Sequence, residues 1–413
     1  MIVNSLEECF RQYFPSVSGN GELDVPELVE ALLQSARAAG ASDIHLIPTP
    51  HSLDIRWRMD GVLQNVVEFP RETVPKIVSR LKVLAELLTY RTDVPQEGRL
   101  RDATGQSETR LSTFPTMYGE KAVVRLFAGA GRYLHLDELG FPDEILAALR
   151  RLLGETSGVI MLTGPAGSGK TTTIYACLRE IVNKSDAGRS LVSLEDPIEV
   201  AVEGVSQSQV KPSVGFDMHA GLRSLLRQDP EVILVGEIRD RLTAETVFQA
   251  SLTGHLVLTT FHAGSAARAI SRLSDMDIEP YLLRSGTRAI FCQRLLRALC
   301  SCARKAETTQ VLPGLDAAIA HVPVGCETCR GTGYHGRFVL SEMLEPDANQ
   351  MGRAILSRSD ASRLEELAVD AGMVTQRVRA LEAVRAGKTS VDEIIRTFGV
   401  AAGTPEVGKQ ADD

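Results

Sequence analysis

Gly164-Pro165-Ala166-Gly167-Ser168-Gly169-Lys170-Thr171 fits the pattern G-x-x-x-x-G-K-[ST] without a mismatch. The glycines let the backbone curl until several N–H groups point at one centre, where phosphate oxygens sit. Lys170 brings a positive charge to the β- and γ-phosphates, and Thr171 offers a hydroxyl to Mg²⁺. The flanks agree. Val159-Ile160-Met161-Leu162 reads as a short buried strand, and Thr172 to Ile181 as a helix whose N-terminus adds partial positive charge. This stretch implies an ATP or GTP site and an α/β sheet to carry it.

The chain has 413 residues, room for two or three domains. Apolar residues make up 44% and charged residues 24%, the composition of a globular protein. A net charge of −8 argues against a generally nucleic-acid-binding surface. No stretch reaches the length of a transmembrane helix, and Met1 to Phe14 carries Glu7 and Glu8 rather than an export leader. Seven cysteines, four of them in two close pairs, fit a reducing cytoplasm and a metal site better than a disulfide framework.

Residues 1 to about 22 are weakly patterned and read as a lead-in. Asp24 caps a helix with Pro26 in its first turn, and Gly40 stops it. Ile44 to Ile47 and Leu53 to Met59 read as strands, the second alternating Leu53, Ile55, Trp57 and Met59 with Asp54, Arg56 and Arg58. Asp60-Gly61 turns the chain into Val62 to Val67. Val74 to Leu88 has helical spacing, and Leu111 to Phe114 and Ala122 to Phe127 read as further strands. This is a mixed α+β unit, with Gly129-Ala130-Gly131 as the expected hinge. Beyond Asp143, apolar runs (Val159–Leu162, Leu191–Leu194, Val232–Val235, Leu256–Thr259) alternate with helices, which predicts a mostly parallel sheet covered on both faces. Helices are expected from about 349 to 398, including Ser359 to Ala371 and Val374 to Ala386, and a disordered end from Thr404.

Nucleotide hydrolysis needs carboxylates for Mg²⁺ and for the attacking water. Two strands end in acids: Ser193-Leu194-Glu195-Asp196-Pro197-Ile198-Glu199 and Val232-Ile233-Leu234-Val235-Gly236-Glu237-Ile238-Arg239-Asp240. Gly236 stands where another acid is commoner. A third strand is bracketed by His255 and His262. Each histidine alone reads as structural, but at the end of a nucleotide sheet His262 is placed to sense the γ-phosphate.

These stretches, together with Leu222–Pro230, Ala250–His255, Glu279–Leu282, Ser42-Asp43-Ile44-His45 and Arg56–Gly61, resemble the secretion ATPase superfamily, and most of all the assembly ATPases of type II secretion and type IV pilus systems. The resemblance spans about residues 29 to 400. It implies an Asp box at Ser193–Glu199, a Walker B segment at Ile233–Glu237 and a His box at Gly254–His262. It divides the chain into a lead-in (1–23), a PAS-like α+β domain (24–130), a linker (131–142), a RecA-like ATPase domain (143–297), a tetracysteine insertion (298–338), a C-terminal helical region (339–400) and a tail (401–413). It also implies a cytoplasmic homohexamer, peripheral at the inner membrane. Such a motor turns ATP hydrolysis into domain rotation for a platform protein, with a membrane-anchoring protein as a further partner.

Within that frame Gly164 to Thr172 bind the nucleotide, and Lys170 and Thr171 hold phosphate and Mg²⁺. Glu195 polarises water and Glu237 holds the Mg²⁺ water shell, the reverse assignment staying open. Arg56 and Arg58 are candidate arginine fingers, with Arg223, Arg227 and Arg239 behind them; otherwise the first two are solvated charges on an alternating strand. Cys326-Glu327-Thr328-Cys329 is a CxxC knuckle whose partner, Cys300-Ser301-Cys302, is one residue short of the family's usual CxxC. The four sulfurs are expected to hold Zn²⁺, the CxC with a strained bite, with His321 or His335 as substitutes for one sulfur. Retraction ATPases of pili usually lack this insertion, so it points to assembly. Phe261-His262-Ala263-Gly264-Ser265 departs from the family's usual His box, and the short lead-in implies no docking through a large N-terminal domain. The rival readings are a retraction ATPase, a RecA-like nucleic-acid translocase and an ATP-gated scaffold with little turnover.

Overall fold

The computed structural model describes residues 5–14, 24–100, 109–126, 134–184, 188–306, 321–346 and 349–399. The expected hinge at 129–131 and the tail from 401 lie outside them. The chain forms two compact units. The first comprises residues 1–132, 297–305 and 321–336; the second comprises 133–296, 306–320 and 337–413.

The first unit opens with a helix the sequence reading passed over. In α1 (Leu6–Tyr13) Ser5 and Glu8 form a reciprocal capping box. Its apolar side is only Leu6, Cys9 and Phe10, too few to show a period. Phe10 stacks on Phe14 at 6.0 Å and meets Phe69 edge-on at 6.2 Å. In α2 (Val25–Ala39) Asp24 accepts from Glu27 N–H, and Gly40 closes the helix in the left-handed region. Strands β1 (Asp43–Pro48), β2 (Ser52–Met59) and β3 (Val62–Pro70) follow, then α3 (Val74–Leu84), which stops one turn before Leu88, and β4 (Gln96–Leu100), β5 (Thr109–Thr116) and β6 (Gly119–Arg125). They make one antiparallel sheet in the order β3-β2-β1-β6-β5-β4. Leu53, Ile55 and Trp57 face the helices in a common core, which sends Arg56 and Arg58 to the opposite face. Strand β4 is a polar edge strand with one buried residue, Leu100, so it left no hydrophobic signal.

In the second unit the elements run α4 (Asp143–Leu153), β7 (Gly158–Thr163), α5 (Lys170–Lys184), β8 (Leu191–Glu195), β9 (Ser206–Gln209), α6 (Met218–Leu225), β10 (Val232–Val235), α7 (Arg241–Leu252), β11 (Leu256–Phe261), α8 (Ala266–Asp275), α9 (Pro280–Gly286) and β12 (Thr287–Leu299). The short pair β13 (Arg304–Lys305) and β14 (His321–Val322) belongs to the first unit. Then come β15 (Tyr334–Leu344) and the helices α10 (Gln350–Leu356), α11 (Ala361–Asp370), α12 (Gln376–Arg385) and α13 (Val391–Phe398). The sheet order is β15-β12-β7-β11-β10-β8-β9. Strands β7, β8, β10 and β11 pair in parallel, as do β12 with β7 and β9 with β8. Val159 and Met161 enter the core on one face, Ile160 and Leu162 the core on the other. A parallel sheet covered on both faces requires such unbroken apolar strands.

Candidate nucleotide site and cysteine cluster

The phosphate loop joins β7 to α5. Gly164 has φ +142°, and a Cβ there would stand 2.3 Å from the Gln293 carbonyl oxygen, so no side chain fits. Lys170 is 8% exposed, and its Nζ donates to the carbonyls of Gly164 and Pro165, each at 2.9 Å. Burial lowers its pKa, while the carboxylate of Glu237 pulls the other way. Gln293 of β12 is wholly buried and donates from Nε2 to the Ser168 carbonyl at 2.8 Å.

Glu195 ends β8, and Glu237 lies two residues beyond the end of its neighbour β10. Glu195 is 4% exposed. Its Oε1 accepts from Ser193 Oγ at 2.5 Å and Gln207 Nε2 at 3.0 Å, and its Oε2 from the Tyr175 hydroxyl at 2.5 Å. Burial, and then the carboxylate it serves, push the Tyr175 phenol far above its ordinary range, so it stays a donor. Glu237, with 20% of its side chain exposed, pairs with Arg239 on Oε1 and with His262 Nε2 on Oε2 at 3.3 Å. Arg239 also reaches Asp196 at 3.1 Å. Gly236 lies against Glu195: a Cβ on it would be 3.3 Å from Glu195 Cα. Thr163, the residue before Gly164, accepts from Ala263 N–H at 2.8 Å and so ties the His262 loop to the phosphate loop. A cleft of about 520 Å³ opens there, lined by Gly164, Pro165, His262, Arg268, Arg272 and Arg294 among others. Its arginines suit an anionic ligand. His255 instead bonds the preceding helix α7, through Nδ1 to the Ala250 carbonyl at 3.0 Å.

The fold therefore brings Gly164–Thr172, Glu195, Glu237 and His262 to one end of one sheet. Arg56 and Arg58 stand on β2 of the first unit. Arg56 bonds Asp54 at 3.0 Å; Arg58 bonds Asp43 at 3.4 Å and the Gly61 carbonyl at 3.0 Å. Arg227 bonds the Arg223 carbonyl at 2.9 Å. The sequence reading missed Tyr175, Gln207 and Gln293, which hold the site from three other elements; only Ser193, two residues from Glu195, was legible by spacing.

The cysteine cluster belongs to the first unit. All four sulfurs lie within 4.8 Å of one another. Cys300 and Cys326 are 3.7 Å apart, Cys302 and Cys329 3.8 Å, and Cys326 and Cys329 3.8 Å. Four thiolates around zinc at ~2.3 Å stand about 3.8 Å apart in a tetrahedron, so the donor set fits without a histidine. Each cysteine of the CxC pair stands at that spacing from a cysteine of the knuckle. Gly333 N–H donates to Cys329 Sγ at 3.2 Å. Arg330 donates to the Ala39 carbonyl at the end of α2 at 3.0 Å, and Gly336 N–H to Asp60 at 3.1 Å. No helix among the described residues is long and apolar enough to cross a membrane.

The comparisons with known proteins agree with this geometry. The family model for "Type II/IV secretion system protein" matches residues 19–396. The type II secretion system protein E of Pectobacterium carotovorum subsp. carotovorum is 40% identical over 92% of this chain and 77% of its own. The type IV pilus assembly ATPase TfpB of Acinetobacter baylyi is 36% identical over 90% of this chain and 65% of its own. Among solved structures, that of the pilus retraction motor PilT with bound ADP superposes with a TM-score of 0.59, at 24% identity over 92% of this chain and 97% of that one, a likeness of fold. A phosphate loop with its two acids and a family match over most of the chain place this protein in the type II/IV secretion system family, as a secretion ATPase.

Proposed function

We propose that this ATPase powers assembly of a type II secretion pseudopilus or a type IV pilus, as a homohexamer at the cytoplasmic face of the inner membrane. The observation that carries assembly over retraction is the tetracysteine cluster, whose sulfurs stand at metal-ligand spacing. The relatives at 36–40% identity, a secretion protein E and a pilus assembly ATPase, support the same reading. The expected partners are the platform protein of such a machine and a membrane-anchoring protein. Nucleic acid is not expected, given the net charge of −8.

In this reading Lys170 and the loop's N–H groups hold the phosphates of ATP, and Thr171 and Glu237 would hold Mg²⁺, which neutralises phosphate charge when bound. Glu195 orients and deprotonates the attacking water. Ser193 and Gln207 fix one of its oxygens, and the Tyr175 hydroxyl must exchange for water on the other. His262, paired with Glu237, reports the state of the γ-phosphate. Arg56 and Arg58 serve as arginine fingers. The four cysteines hold Zn²⁺ as a structural ion.

Deleting the gene in its own host and restoring Lys170→Ala tests the cellular role. Loss of secretion or of pili is expected; pili that form and fail to retract would establish the retraction reading instead. In solution, turnover should rise with the hexameric fraction and stay unchanged when DNA is added. Metal analysis should find about one zinc per chain; less than a tenth, without chelator exposure, rules that site out.

A further inference from the structure

Three consecutive residues of β12 each send a polar group to a different element. Cys292 accepts on its carbonyl from Nε2 of Gln376, the buried first residue of α12, at 2.7 Å. Gln293 donates to the Ser168 carbonyl of the phosphate loop. Arg294 donates to the Thr397 carbonyl of α13 at 2.8 Å, and its guanidinium lies 4.8 Å from the ring centre of Phe398. The strand runs beside β7 with Cys292 level with Thr163, the last residue before the loop. The segment that braces the phosphate loop is thus the one that α12 and α13 hold. Glu342 of β15 adds a second tie. It accepts from Gln376 N–H at 3.0 Å and from Ala266 N–H, at the start of α8 just after the His262 loop, at 2.8 Å.

The polar accounting around Gln293 points the same way. Its Oε1 and the Ser168 Oγ are buried, and neither has a hydrogen-bond partner among the described residues. Burying unpaired oxygens is costly. An apolar side chain would fill the space without that cost, so the amide is retained for the one bond it makes, to Ser168. We propose that Gln293 is a positioning residue for ATP turnover, and that α12 and α13 set the phosphate loop through the Cys292–Arg294 segment.

The test is a cycle on the full chain, with Gln293→Met, Gln376→Met and the pair. The readouts are KM for ATP, kcat, the Kd of ADP by calorimetry and the melting temperature. Gln293→Met should raise KM and the ADP Kd about fivefold, the worth of one hydrogen bond. Gln376→Met touches no part of the loop and should still raise both about two- to threefold. The double variant should stay within twofold of Gln293→Met, because both changes release the same tie. A lower melting temperature with KM and Kd within 1.5-fold of the parent, or single effects that multiply in the double variant, would overturn the proposal. If either methionine variant fails to fold, Gln293→Asn, a methylene short of Ser168, and Gln376→Asn, a methylene short of the Cys292 carbonyl, take their places with the same expectations.

Discussion

Strands β8 and β10 lie side by side, and each leads to a glutamate, yet the two carboxylates have opposite surroundings. Glu195 is sealed in, and three neutral donors occupy its oxygens. Glu237 keeps a fifth of its side chain exposed and is held by two basic partners, Arg239 and His262. Neutral donors fix where a carboxylate points without cancelling its charge. Charged partners compensate its charge, and a metal's water shell can take their place. The same sequence signal, an apolar run ending in an acid, has produced one aimed group and one exchangeable group.

The largest effect should come from the exchangeable one. Glu237→Gln should lower kcat by about 10³-fold while ADP still binds; hydrolysis at the parent's rate would remove Glu237 from the site. The same variant carries a pH signature. The Glu237 carboxylate favours the charged form of Lys170, whose pKa burial already depresses. Without that carboxylate the pKa falls further, so the alkaline limb of nucleotide binding should move to lower pH, and an unmoved limb would show that the two groups do not communicate. Glu195→Gln should cost about 10²-fold in kcat, the scale of a lost general base; a rate within threefold would make Glu195 a purely structural acid.

Smaller changes sharpen the contrast. Tyr175→Phe removes one of Glu195's donors and should cost about 1.5–3 kcal/mol of stability, since that bond reaches a charged group. A melting temperature equal to the parent's would mean the hydroxyl is not holding the carboxylate. Gly236→Ala should be the mildest, within about 1 kcal/mol, because its new Cβ needs only a few tenths of an ångström from Glu195.

Much of this was legible in the sequence, for reasons of locality. The phosphate loop is eight consecutive residues, and its backbone geometry follows from where the glycines fall. Strands β7, β8, β10 and β11 are buried on both faces, so they appear as unbroken apolar runs. Strand β12 carries Gln293, Arg294 and Arg297, and those polar residues hid it although it lies next to β7. The helix α1 is short, and three apolar residues do not reveal a period. The donors around Glu195 escaped because Tyr175 comes from α5 and Gln207 from β9, a convergence that exists only after folding. Each sulfur of the CxC pair stands opposite a cysteine of the knuckle 26 or 27 residues further on, a pairing that spacing along the chain does not show.

The close approach of Gly236 to Glu195 also bears on how this site can evolve. An aspartate at 236, the acid commoner in such sites, would begin from a Cβ 3.3 Å from Glu195 Cα and 3.4 Å from the Leu194 carbonyl oxygen, and would set a second negative charge beside Glu195. Placing that acid here therefore needs a shift of a few tenths of an ångström in its neighbours and meets a charge repulsion as well. The constraint on position 236 comes from its neighbour Glu195 rather than from the nucleotide, so introducing an acid there has to begin with a change around Glu195.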